Sequence, residues 1–217
     1  MGLNLELAQI SKTYNGQEVL QECSWVFEKG LTHVIMGPNG MGKSTLLRIC
    51  ALLEAPDRGR VNYLANGRPL ASDLALKRRI TLLLPGVGVF NTSVFNNVAY
   101  GLKIRGLDSR EIESRVAAIL EVVGLAAKRR QRALDLSTGQ SKRLGLARAM
   151  VIDPEVILLD EPTASIDQEN SGIIEDIIRK VKAERKATII MVTHDPAQAE
   201  RLGDRVLLMQ AGKIAPL

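Results

Sequence analysis

Lys43 and Ser44 close the run GPNGMGKS, residues 37–44, in which Gly37, Gly40 and Gly42 let the backbone curl until successive N–H groups point inward. Thr45 and an apolar stretch follow, so those N–H groups sit at the N-terminus of an expected helix. Its partial positive charge completes a cradle for an anion. The pattern G-x-x-x-x-G-K-[ST] assigns Lys43 to the β- and γ-phosphates of a nucleotide and Ser44 to Mg²⁺, with Pro38, Asn39 and Met41 supplying the intervening backbone. A second chemical pair lies in VILLDEP, residues 156–162, where an apolar run delivers Asp160 and Glu161. Asp160 suits a metal-holding carboxylate of Walker B type, and Glu161 suits the polarisation of a water that attacks the γ-phosphate. An acidic turn stopped by Pro162 is the plain alternative.

The elements that must carry these groups are legible in the pattern. LTHVIM precedes the phosphate loop as a strand, and KSTLLRICALLE follows it as a helix. VILLD and ATIIMV are short, uncharged inside and rich in β-branched residues or leucine, as strands buried on both faces of a parallel sheet are. Between them SGIIEDIIRKVKAE sets Ile173, Ile174, Ile177, Ile178 and Val181 at helical spacing. The first thirty residues differ: LNLELAQI alternates, TYNGQEV carries an Asn-Gly step and CSWVFEKG follows, which reads as antiparallel strands. In GLDSREIESRVAAILEVVGL, Asp108 and Glu111 stand in a capping-box relation and Gly124 is a stop, predicting a helix. The basic cluster KRRQR, residues 128–132, reads as a solvated loop between helices.

The expected fold class is therefore α/β: a mostly parallel sheet with an N-terminal antiparallel β region and an inserted helical region. All 217 residues are expected to form one nucleotide-binding domain, with a core of residues 1–85 and 151–217 and a helical insertion at 86–150. The composition, 46% hydrophobic and 24% charged, is that of a globular chain. A net charge of +5 suits phosphorylated ligands, but with 3% aromatic residues there is no row of rings for stacking single-stranded bases, and no direct nucleic-acid partner is expected. The start MGLNLELAQI shows no secretory leader, and no apolar run reaches the roughly 20 residues needed to cross a bilayer, so a membrane role must go through a partner. Cys23 and Cys50 form no CxxC pair and read as reduced, packed thiols, with a cytoplasmic location.

These features are common to many NTPases, and kinases, GTPases and helicases share them. A further stretch, LSTGQ at residues 136–140, contains donors but no acid, base or metal ligand, and begins a helix-like segment about twenty residues before VILLDEP. With SKTYNG, GPNGMGKST, LSTGQSKRLGLARAM, VILLDEPTASID and TIIMVTHD in order, the chain resembles the ATP-binding cassette (ABC) transporter ATPases from end to end. The resemblance implies a phosphate-loop NTPase fold with a RecA-like core and a helical signature subdomain. It also implies ATP and Mg²⁺ as ligands.

In that family two copies pack head to tail, and the signature of one closes over the ATP of the other. By resemblance, Ser137, Thr138, Gly139 and Gln140 bind a partner's nucleotide, with Ser137 Oγ and the Gly139 N–H on its γ-phosphate, Tyr14 stacks on adenine, and His194 contacts the γ-phosphate and supports the attacking water with Glu161. Asp167 resembles the loop that signals between the two sites, and residues 90–98 resemble the segment that faces a permease. A packed strand aromatic is the alternative for Tyr14, and His33 reads as structural. One position departs: where the family usually has Gln, ITLLL is followed by Pro85, which offers no side-chain donor and no N–H. Hydrolysis is expected to survive on Ser44, Asp160, Glu161 and His194, with metal sensing and coupling altered. Thr138 replaces the commoner Gly of the signature.

The resulting expectation is the ATP-hydrolysing subunit of an importer, a homodimer working with a separate permease and a solute-binding protein at the inner face of the membrane. VFNTSVFNNVAYGLKIRG, residues 89–106, resembles cassettes of tungstate, molybdate or phosphate importers, with amino acids, metals and other small solutes as the remaining candidates. Alternatives are a non-transport cassette in translation, repair or envelope division, and a cassette that has lost hydrolysis and serves as an ATP-gated dimerisation module.

Overall fold

The computed structural model describes residues 3–185 and 187–217. They cluster into two compact units: Met1–Leu82 with Glu155–Glu161 and Lys180–Leu217, and Leu83–Pro154 with Pro162–Arg179. Residues 162–179 thus cluster with the helical unit, although in sequence they follow the second acidic motif.

The first unit opens with β1 (Asn4–Tyr14) and β2 (Gln17–Phe27), an antiparallel hairpin in which Tyr14 pairs with Gln17 across Asn15 and Gly16. Both turn residues have positive φ, 50° and 79°, the conformation in which a two-residue turn matches the twist of its strands. Then come β3 (Thr32–Met36), α1 (Lys43–Cys50), β4 (Arg58–Ala65), β5 (Arg68–Pro69), α2 (Leu74–Lys77) and β6 (Ile80–Leu83), whose last residue belongs to the other unit. After the helical segment the chain returns in β7 (Val156–Asp160) and β8 (Thr188–Val192), then α7 (Pro196–Leu202), β9 (Arg205–Gln210) and β10 (Lys213–Pro216). The strands form a four-stranded sheet ordered β2-β1-β4-β5 and a six-stranded sheet ordered β10-β9-β3-β8-β7-β6. In the larger sheet β9, β3, β8 and β7 run parallel, and β10 returns antiparallel along β9. Every residue of β7 and β8 is buried, as two covered faces require.

One apolar cluster joins the two sheets and α1: Leu5 and Leu7 of β1, Ile35 of β3, Leu46 and Leu47 of α1, Tyr63 of β4, Leu158 of β7 and Ile190 of β8. Full burial of each such side chain contributes about 1.5–3 kcal/mol. Cys23 and Cys50 are free thiols within it, and burial pushes the Cys23 thiol up to about 11, so neither behaves as a reactive thiolate. His33 is fully buried, with Nε2 3.2 Å from the Glu28 carbonyl; burial lowers its pKa and keeps it neutral, as a structural residue.

α1 is shorter than the sequence pattern suggests. It stops at Cys50 because Leu52 adopts positive φ (57°), and Leu52 and Leu53 return their N–H groups to the carbonyls of Ile49 and Arg48. That is a Schellman stop built on leucine rather than glycine.

The second unit carries α3 (Val94–Ile104), α4 (Ser109–Val122), α5 (Thr138–Met150) and the start of α6 (Gln168–Arg185). In α4 only half of the expected capping box forms. Asp108 accepts from the N–H groups of Arg110 and Glu111, while the Glu111 carboxylate pairs with Arg115 at 2.6 Å. The basic cluster begins at Lys128, the end of a short 3-10 helix (Ala126–Lys128), and continues as a loop in which Arg129 bonds Glu113 and lies over Phe95, and Arg132 reaches Asn91. No helix among the described residues is long and apolar enough to cross a membrane.

Candidate functional site

The phosphate loop joins β3 to α1, both locked in the core, so the run 37–44 is held at the ends of parallel strands where ligands of such sheets bind. The start of α1 is unusual in this chain. Asp73, Ser93, Asp108, Ser137 and Asp195 cap α2, α3, α4, α5 and α7 with their side chains, and Asp167 does the same for α6 by accepting from Asn170 N–H. α1 has Gly42 at its cap, no side-chain acceptor and no acidic residue in its first turn. Its N–H donors are thus left for a ligand, and an anion is what they fit. Lys43, 5% exposed, folds its ammonium onto the Gly37 and Pro38 carbonyls at 2.7 Å, and burial lowers its pKa against the raising influence of Glu161 and Asp160.

Asp160 ends β7 and is buried. Burial raises its pKa, while a hydrogen bond from the Ser44 side chain opposes that rise. Ser44 and Asp160 therefore meet, and their oxygens are ligands for a hard cation. Among the described residues no group of three acidic, histidine or cysteine side chains is gathered. Two protein oxygens, rather than a full cage, suit Mg²⁺, which keeps waters and takes phosphate oxygens.

The next residue, Glu161, takes φ of 48°, a left-handed conformation costing on the order of 1–3 kcal/mol for a non-glycine residue. Its N–H still bonds the Val192 carbonyl at 3.1 Å, so β7 and β8 stay paired up to the turn. The turn brings Glu161 Oε1 to 2.7 Å from His194 Nε2, just past the end of β8. Both side chains are partly exposed, at 30% and 38%, which leaves them open to a substrate. A carboxylate hydrogen-bonded to an imidazole can take a proton from water and hold its own orientation while doing so.

Tyr14 ends β1 with its hydroxyl bonded to Glu54 and contacted by Arg48, and Lys12 Nζ lies 5.7 Å from the ring centroid. The residue is still 37% exposed, so the ring is fixed in direction with surface left for a planar partner. This Glu54–Arg48–Tyr14 network carries no sequence signal, since its members are up to 40 residues apart.

In the second unit Ser137 caps α5. Its Oγ accepts from Gln140 N–H, and Gln140 Oε1 accepts from Ser137 N–H. Ser137 keeps its O–H to donate, and the N–H groups of Thr138 and Gly139 lie in the first turn, where helical N–H groups lack intrahelical partners. Asp167 is exposed and caps α6, and hydrogen bonds from Asn170 hold its carboxyl below the usual range. Pro85 follows β6, exposed, and its carbonyl accepts from Lys142 Nζ at 2.5 Å, a contact with no trace in the sequence pattern. Within residues 90–98, Val94 and Val98 are buried, so the apolar surface offered there is Phe90, extended by Tyr100 and Ile104.

Residues 20–164 match the family described as ABC transporter. The chain is 38% identical over 213 residues, 98% of its own length and 97% of the relative's, to the tungstate uptake system ATP-binding protein TupC of Peptoclostridium acidaminophilum. It is 35% identical over 222 residues, covering 97% of itself and 78% of the relative, to the phosphate import ATP-binding protein PstB 2 of Natronomonas pharaonis. Among solved structures it is similar to cbiO1 from Clostridium perfringens, part of the ABC transporter complex cbiONQ. The TM-score is 0.86 and the identity 29%, with 97% of this chain and 86% of that one covered.

Proposed function

The chain belongs to the ABC transporter family, as an importer-type ATP-binding subunit that hydrolyses ATP with Mg²⁺, and from that premise we propose that it powers uptake of tungstate or a related oxyanion. The observation that carries the cargo reading is the end-to-end similarity to a tungstate uptake ATP-binding protein, alongside a phosphate import relative.

In this reading the uncapped start of α1 and Lys43 take the β- and γ-phosphates, and Tyr14 takes the adenine face. Ser44 and Asp160 would hold Mg²⁺, which would supply charge neutralisation for the phosphates. Glu161 accepts a proton as a water oxygen attacks the γ-phosphorus and the bond to the bridging oxygen of ADP breaks. His194 keeps Glu161 aimed through their 2.7 Å contact. The left-handed turn at Glu161 fixes that aim before substrate arrives.

Ser137, Thr138, Gly139 and Gln140 complete the site of a second copy packed head to tail, Asp167 links the two sites, and residues 86–150 form the signature subdomain. Phe90, with the Tyr100 ring against it and exposed Ile104 one helical turn beyond Tyr100, offers the apolar surface for a separate permease, which seats the subunit at the cytoplasmic face of the membrane. Purification of a tagged chain from gently solubilised membranes of its native host tests this. A permease and a solute-binding protein that takes tungstate, molybdate or phosphate are expected to co-purify. Recovery of soluble partners or ribosomes alone would overturn the importer reading.

A further inference from the structure

The segment after β6, residues 84–90, contains Gly86 and Gly88 and has an exposed proline where a glutamine side chain would be expected to tie it to the nucleotide. It is nevertheless attached along its length, to one face of α5. Lys142, 6% exposed, donates Nζ to the Pro85 carbonyl at 2.5 Å. One turn on, Gly145 lies so close to the segment that a Cβ there would stand 2.9 Å from both Leu83 Cδ1 and Val87 Cγ2. Another turn on, Arg148 donates Nη1 to the Gly88 carbonyl at 2.5 Å, and its guanidinium lies 4.6 Å from the Phe90 ring centroid. Residues three apart share a helix face, so 142, 145 and 148 form one line of attachment running in the same direction as the loop.

We infer that Lys142 and Arg148 are positioning residues that fasten residues 84–90 to the signature helix, so that loop and signature move as one piece. The chemistry favours this use of cations. Carbonyls of a glycine-containing loop have no regular ladder to join, and a charged donor, the buried Lys142 ammonium or the half-buried Arg148 guanidinium, binds them more strongly than a neutral donor does. Proline suits the first attachment because its locked φ fixes the direction of the segment and its missing N–H leaves only the carbonyl to be matched. The link is made to the main chain, so no side chain at position 85 is required. Displacement of Phe90 is then passed through Arg148 and Lys142 to α5, whose first residues follow Ser137. The inference rests on the reading above in one respect: motion of the signature matters because it completes a site in a second copy.

Amide hydrogen exchange on the full chain tests it, with ATP hydrolysis measured on the same samples, for Lys142→Met, Arg148→Met and the double variant. Exchange at the Phe90 N–H, which donates to Asn97 Oδ1 at 2.8 Å, is expected to rise roughly tenfold or more in each single variant while α5 keeps its protection. In the double variant kcat falls roughly tenfold, with the KM for ATP moving far less, because ATP is held by the phosphate loop of the other unit. Lys142→Arg, which keeps a donor of similar reach, restores most of both. Unchanged exchange at the Phe90 N–H in the double variant overturns the attachment, and a loosened loop with wild-type kcat overturns its positioning role. Should α5 itself lose protection in Lys142→Met, Lys142→Gln is judged by the same two criteria. Failure of a Glu161→Gln chain to dimerise with ATP would strike the dimer reading alone, since the exchange measurement needs one copy only.

Discussion

Asn170 occupies the space that a side chain on Gly139 would need: a Cβ built there would lie 2.5 Å from Asn170 Cγ and 2.6 Å from its Oδ1. Asn170 cannot easily withdraw, because Asp167 Oδ1 accepts from its N–H and Asp167 Oδ2 from its Nδ2, both at 2.8 Å. The glycine of the signature and the aspartate that caps α6 are therefore linked through one amide side chain, within one unit. Gly139→Ala is expected to lower stability by about 1–3 kcal/mol, as overpacking does. Asn170→Ala in the same chain should recover most of that loss by making room. Thermal melts of the two single variants and the double variant give the coupling, and additive effects would show that the contact is not the cause.

Glu161 Oε1 lies 2.7 Å from His194 Nε2, and in the proposed mechanism the two act together on the attacking water. Replacing the carboxylate by an amide of the same shape leaves Lys43, Ser44 and Asp160 in place. Glu161→Gln should therefore bind ATP as the parent does and lose about 10²- to 10⁴-fold in kcat. Single-turnover phosphate release, with nucleotide binding measured in parallel, checks this. Normal turnover would move the base elsewhere.

The sequence pattern reached the loop, both strands beneath it and the acidic pair, because each of these is local: glycine spacing, a β-branched run, two adjacent carboxylates. The contact that brings Glu161 to His194 spans more than thirty residues, yet both were assigned together through the family resemblance, not through any periodicity. What stayed hidden depends on packing between segments distant in sequence. Glu54 turns back to Tyr14 and Lys142 finds Pro85, each by tertiary contact, whereas Leu52 ends α1 by a local left-handed stop that no glycine marks. The grouping of residues 162–179 with the helices was equally invisible, since nothing in ASID marks Asn170 as a neighbour of Gly139.

Asp204 ties the start of β3 to the end of α6, accepting from Thr32 N–H at 2.7 Å and from Lys182 Nζ at 2.6 Å on its two oxygens. Burial works to raise its pKa, but those two donors outweigh it and hold the carboxyl below its ordinary value. A carboxylate depressed in the folded state stabilises the fold above its unfolded pKa, and that contribution is lost as pH falls through the folded value. Asp204→Asn should thus cost about 1–2 kcal/mol near neutral pH, discounted for partial exposure, and the gap from the parent should close under acid conditions. Urea melts of both proteins across that range decide it; a gap independent of pH would assign the loss to shape rather than charge.

Pro85→Gln separates what the proline removes from what it supplies. The substitution leaves the main-chain carbonyl in place, so Lys142 can keep its acceptor, and it adds an amide side chain and an N–H. If the proline is a tolerated loss compensated by the attachment to α5, turnover should be preserved or raised, and exchange at the Phe90 N–H should stay at the parent level. If turnover instead falls by more than about tenfold, the locked φ of Pro85 is itself needed to present that carbonyl. Steady-state ATP hydrolysis over a Mg²⁺ titration distinguishes the two. Added metal affinity from the new amide would appear as saturation at lower Mg²⁺, independently of the change in kcat.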